Sequence, residues 1–211
     1  MDEALASGVD EQQQSRKYKI QTYGFFISSW LLGFMLIFTI PEDIMTYPWA
    51  QQFVDWVGKV VPMVEGLEQI RLYGFSNPDK AHLVVLPHIS FYYAMLWVFA
   101  LLSVPYMIHL VKGNFIFNSQ SNFSQLMIIR NIIESHNNKS KKYYLFLVLS
   151  TAAILYVFIN SKYSTKWTEL LHVYRFSSGV LSSIFTIGIC SSFITHITAH
   201  FLVKQSEKHH A

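Results

Sequence analysis

The chain has 211 residues, of which 52% are hydrophobic and only 14% charged, against roughly 25% charged in soluble domains. A charge content that low does not supply an ordinary water-facing surface, and a net charge of +3 without a clustered basic face argues against nucleic-acid binding. The one cysteine, Cys190, excludes an intrachain disulfide and any Cys-based metal motif, and its apolar setting predicts a small core residue.

Four stretches contain no Asp, Glu, Lys or Arg: residues 20–40, 81–111, 143–161 and 176–203. Crossing about 30 Å of hydrocarbon takes about 20 apolar helical residues. The expected fold is therefore an all-α polytopic membrane protein with four transmembrane helices. The first and third spans fit with little slack, and the second and fourth are long enough to tilt or project. Residues 1–19, rich in Gln, Asp and Glu before Arg16, predict a disordered tail. The first apolar run is longer than a signal-peptide core and ends in Thr39-Ile40-Pro41 without a small-residue cleavage site, so it predicts a retained helix.

The loop 41–80 is too long to be structureless. Trp49, Phe53, Trp56, Val60, Val64 and Leu67 recur at three- and four-residue steps, the period of an amphipathic helix. Pro62 divides or kinks it, so one or two short helices are expected over about 49–72. Such helices either cap the span ends or present a recognition surface, with Trp49, Phe53 and Trp56 as its partner-binding residues. In the second span, Pro87 and Pro105 predict kinks. The loop 113–142 predicts a further helix over about 122–135, capped by Ser121 or Asn122 and followed by Lys139, Lys141 and Lys142. That basic group is attracted to anionic lipid.

In the fourth span, Ser178, Ser182, Thr186 and Cys190 succeed one another at i+4, and Gly188, Ser192, His196 and His200 form a second row. Small residues let helices approach closely in lipid, so Ser178, Ser182, Thr186, Gly188 and Ser192 read as a helix-packing face. The competing reading makes them the lining of a polar path in an oligomer. His109, His196 and His200 are candidate metal or haem ligands at similar depth, although no acidic residue accompanies them inside the spans. A two-haem arrangement using His88 and His109 fails, because 21 residues span about 31 Å of helix. There is no Walker loop, G-x-G-x-x-G, G-x-S-x-G, H-E-x-x-H or C-x-x-C, so no enzyme activity and no cofactor are expected.

Ten basic residues fall on the side of the termini and the loop 113–142, against six on the other. The excess predicts cytoplasmic N- and C-termini, including the tail 204–211, in a bacterial inner membrane. In span count, size and loop layout the chain is similar to immunity proteins against pore-forming bacteriocins and to the small membrane subunit of the Kiwa phage-defence system. That resemblance implies a non-enzymatic protein that recognises another protein in the membrane or on its outer side. The alternatives are a channel or transporter subunit, working as a homo-oligomer, and a haem- or metal-binding membrane protein.

Overall fold

The computed structural model describes residues 2–75, 78–80, 82–117 and 173–210. Every regular element assigned among them is helical. Helix α1 runs Asp2–Thr39. It therefore covers the residues expected as a tail, where Glu3, Ala4, Ala6 and the run Gln12, Gln13, Gln14 are good helix formers uninterrupted by proline. Pro41 stops it, because the residue before a proline is pushed out of the helical region.

The next segment is helical, in keeping with its period and prolines. A 3-10 turn spans Glu42–Thr46. Helix α2 (Pro48–Gly58) and helix α3 (Pro62–Tyr73) each begin with proline at the first helical position, where the missing N–H is not needed and φ is already helical. Helix α3 ends at Gly74, whose φ of 78° lies in the left-handed region open to glycine.

The expected second span is shorter and broken. Helix α4 is Ile89–Leu102 and helix α5 is Val104–Phe117. Pro87 sits in the turn ahead of α4, so residues 82–88 do not join the helix. Pro105 removes the N–H that would bond Leu101, and the chain breaks at Ser103 with a 45° bend. Helix α6 covers Arg175–His210, extending into the expected tail 204–211.

Among the described residues two helices are long and apolar enough to cross a membrane, Gln12–Thr39 and Arg175–Thr195. A third arises if Ile89–Leu102 and Val104–Asn114 form one bent span. The expected span 143–161 and the helix expected over 122–135 lie outside the described residues.

The chain divides into two compact units. Residues 29–102 and 173–188 make one. Its core joins Ala50, Val54 and Val57 of α2, Met63, Val64, Leu67 and Ile70 of α3, and Phe91, Tyr92, Tyr93 and Leu96 of α4. Helices α2 and α3 pack on each other and both pack on α4. Burying each Val, Leu or Ile contributes about 1.5–3 kcal/mol, which is what fastens a short helix pair that has no side-chain N-caps.

Residues 2–28, 103–117 and 189–210 belong to the other unit. There Asn114 is buried and donates to Thr22 Oγ1 at 2.7 Å and to the Leu110 carbonyl at 2.9 Å. Rings of Phe25 and Tyr106 meet edge to face with centroids 5.4 Å apart, adding an aromatic contact between α1 and α5.

Candidate functional site

The face of α2 turned from the core carries the exposed aromatics. Trp49 is 56% exposed, Trp56 62% and Val60, just past the helix end, 67%. Phe53 is half-buried on the flank of the core. Phe91 anchors this edge from α4, with ring centroids 5.6 Å from Trp49 and 5.4 Å from Phe53. The periodicity 49–53–56–60 is therefore an outer stripe, and the buried stripe is 50–54–57, one residue out of phase. The reason is size. Ala50, Val54, Val57 and Gly58 let α3 come close (a Cβ on Gly58 would meet Glu65 at 3.4 Å), whereas indole rings do not fit between two helices at that spacing.

The same period, continued past α2, reaches Val64 and Leu67, which are buried. Pro62 starts a new helix between them and Val60, and the phase is not conserved across the break.

Helix α3 is tied to α4 by polar contacts that the sequence did not reveal. Arg71 grips Glu68 through two hydrogen bonds of 2.9 and 2.6 Å, and Ser90 Oγ donates to Glu68 Oε2 at 2.6 Å. Burial pushes the Glu68 carboxyl upward, but the hydrogen bonds from Arg71 and Ser90 outweigh it and hold the group below the usual carboxylate range. Arg71 is pushed up chiefly by its hydrogen bond to Glu68. Arg175, at the start of α6, pairs with Glu42.

A second candidate is the buried polar seam where α1, α4 and α6 meet within the unit 29–102 and 173–188. Tyr92 and Tyr93 are fully buried. The Tyr92 hydroxyl donates to the Gly33 carbonyl at 3.0 Å, with the Gly179 carbonyl at 3.5 Å. Tyr93 and Ser182 hydroxyls share a bond of 2.5 Å. Gly33 is required for this approach, because a Cβ there would lie 2.7 Å from the Ser183 Cβ.

Ser178, Ser182 and Thr186 are all buried along the row expected from their spacing. Ser182 has Tyr93 as partner, but among the described residues Ser178 Oγ and Thr186 Oγ1 have no hydrogen-bond partner. Gly188 and Ser192 are exposed.

His88, one residue before α4, is fully buried, and among the described residues neither ring nitrogen has a hydrogen bond of good geometry. The Ile37 backbone lies beside it, as do the charges of Arg175 and Glu42, and burial pushes its pKa below the usual histidine range.

His109 is placed differently. It is an exposed residue of α5, its ring 5.6 Å from that of Tyr18 and stacked 6.3 Å from that of Tyr106. His196 and His200 both lie on α6, but their side chains are outside the described set. No group of three or more His, Cys, Asp or Glu residues able to hold a metal occurs among the described residues.

The seam's tyrosines were missed by sequence reasoning. The available signal was two adjacent hydroxyls in a largely apolar run, which need hydrogen-bond partners when buried. No protein-family model, curated protein or solved structure matches the chain.

Proposed function

We propose that the chain is a non-enzymatic membrane protein that binds another protein, in the manner of immunity, exclusion or phage-defence recognition. In this reading it has four spans: 20–40, the bent pair 89–114, residues 143–161 and residues 176–203. Both termini face the cytoplasm of a bacterial inner membrane, and α2–α3 lies on the opposite side.

The observation that carries the reading is the exposure of Trp49 and Trp56 on a helix whose other face is locked into a core. Rigid aromatic side chains lose little conformational freedom on binding and dominate interface energetics.

The test is crosslinking in native membranes from Lys59, next to the stripe, with the products identified by mass spectrometry. The expected result is one recurrent partner whose recovery falls about 30-fold in Trp56→Ala, the scale of a ~2 kcal/mol interface anchor. Equal recovery from wild type and variant would sink the assignment of the stripe.

A second reading, an oligomeric channel or transporter subunit, is favoured by Ser178 Oγ and Thr186 Oγ1, which are buried without partners among the described residues. Unsatisfied hydroxyls in an apolar setting cost about 1–3 kcal/mol each, and water along the seam would remove that cost. Under this reading Thr186→Leu abolishes conductance in reconstituted vesicles. Loss of assembly instead would assign the row to packing.

A further inference from the structure

In the unit 29–102 and 173–188, the end of α1, the 3-10 turn Glu42–Thr46 and the start of α6 meet around His88, just ahead of α4. The His88 backbone is fixed on both sides. Ile89 N–H bonds the Leu86 carbonyl at 3.0 Å, and Tyr92 N–H bonds the His88 carbonyl at 2.9 Å. The ring is fully buried, and among the described residues it has no hydrogen bond of good geometry. Leaving a buried polar group in that state costs about 1–3 kcal/mol, a cost that Leu or Phe at this position would avoid. What an imidazole adds is a proton taken up near neutral pH.

Three groups face the ring. One is the Ile37 backbone. Pro41, four residues on, has no N–H, so α1 leaves the Ile37 carbonyl without its helical donor. The other two are Arg175 and Glu42, which pair with each other. That pair ties the 3-10 turn to the first turn of α6, across 133 residues of chain. The remaining charges of the packed elements are turned to water or balanced. Asp43 in the 3-10 turn, Asp55 on α2 and Glu65 on α3 are exposed. Glu68 and Arg71 on α3 pair with each other beside Ser90.

A proton on His88 sets a positive charge against Arg175 and offers Glu42 a second cation. It also gives the Ile37 carbonyl a stronger donor. The Arg175 side chain is 32% exposed and has a way to water, which His88 lacks. We propose that His88 is an acid-operated release for the Glu42–Arg175 latch: on protonation Glu42 exchanges Arg175 for His88, and the first turn of α6 comes free. Burial and the Arg175 charge hold the latched His88 below the usual histidine range. The latch is therefore fully closed above that range. It opens as pH falls below it, and the effect levels off once the depressed value is passed. The release depends neither on the membrane topology nor on the partner proposed above.

The test is hydrogen exchange of the full chain in mild detergent, read by mass spectrometry in peptides covering residues 174–182 and corrected for the intrinsic effect of pH. Ser178 N–H bonds the Tyr174 carbonyl at 2.8 Å, so its protection reports on the first turn. From about pH 7.5 to about pH 5, the range in which histidine titrates, wild-type protection is expected to fall about tenfold, the effect of one unit of pKa difference between latched and released forms. His88→Phe should keep the higher protection at both ends. Arg175→Gln and Glu42→Gln, which retain His88, should show the lower protection at both. A flat wild-type profile overturns the release, and so does a wild-type fall in His88→Phe. Wild-type protection in Glu42→Gln at neutral pH overturns the latch, and that variant decides the matter even where His88→Phe does not fold.

Discussion

At the scale of single residues, the polar groups of the unit 29–102 and 173–188 decide how its helices meet. Tyr93 and Ser182 illustrate how an interior bond works away from water. Removing one hydroxyl leaves the other buried and unsatisfied, so Tyr93→Phe is expected to destabilise the protein by about 1–2 kcal/mol. Removing both is milder, since an apolar pair of the same shape leaves no orphan, and Tyr93→Phe with Ser182→Ala should recover most of the loss. Thermal melting of the four proteins in one detergent closes the cycle, and additive losses would show that the bond is not formed.

Glu68 gives a pH-dependent counterpart. Its folded-state pKa lies below the ordinary 4.5. The carboxylate therefore stabilises the folded state above that value, and the contribution disappears as pH falls through the lower, folded-state pKa. Melting temperature measured from neutral to acid pH should fall more steeply in wild type than in Glu68→Gln below about 4.5, and the two curves should converge at the acid end. Parallel curves would mean that Arg71 and Ser90 do not stabilise the carboxylate.

At the scale of elements, the helices of segment 42–73 were readable because two independent signals coincide. The period of three and four residues marks helix, and Pro48 and Pro62 mark where helices start. What could not be read is which stripe of α2 is buried. The period alone leaves Trp49 and Trp56 either packed on the span ends or displayed for recognition. The small stripe Ala50, Val54, Val57 wins because close packing against α3 and α4 rewards fit rather than area. Leu67 is the test of that core. It is fully buried, so Leu67→Ala should lower stability by about 2–5 kcal/mol, whereas Trp56→Ala, on the open face, should change stability by less than about 0.5 kcal/mol. A similar loss from both would place Trp56 in the core after all.

The break in the second apolar run was legible in kind, since Pro105 removes a backbone donor. Its consequence, a helix starting only at Ile89, depends on the turn at Pro87 and His88. The contacts of Tyr92 with Gly33 and of Asn114 with Thr22 join residues 59 and 92 positions apart, and no local pattern encodes such pairings.

At the scale of the molecule, charge and hydropathy have to describe the same topology. Helix α1 and the apolar part of α6 are long enough to cross, and the bent pair α4–α5 reaches as far only if its two halves act together. An odd or even number of crossings between α1 and α6 has a direct consequence. With four spans, α2 and α3 lie opposite both termini. If the bent pair re-enters and leaves by the same face, the side on which the chain ends changes. Basic residues predict the first arrangement, because only it keeps the cations of residues 112–142 on the same side as those of the two termini.

Single-cysteine labelling resolves the two. With Cys190 replaced by alanine, cysteines placed at Lys59, Lys112 and Ser206 are probed in intact cells with a membrane-impermeant reagent. The four-span arrangement predicts labelling at 59 alone, with 112 and 206 reacting only after permeabilisation. Labelling at both 59 and 112 would make the bent pair a re-entrant element.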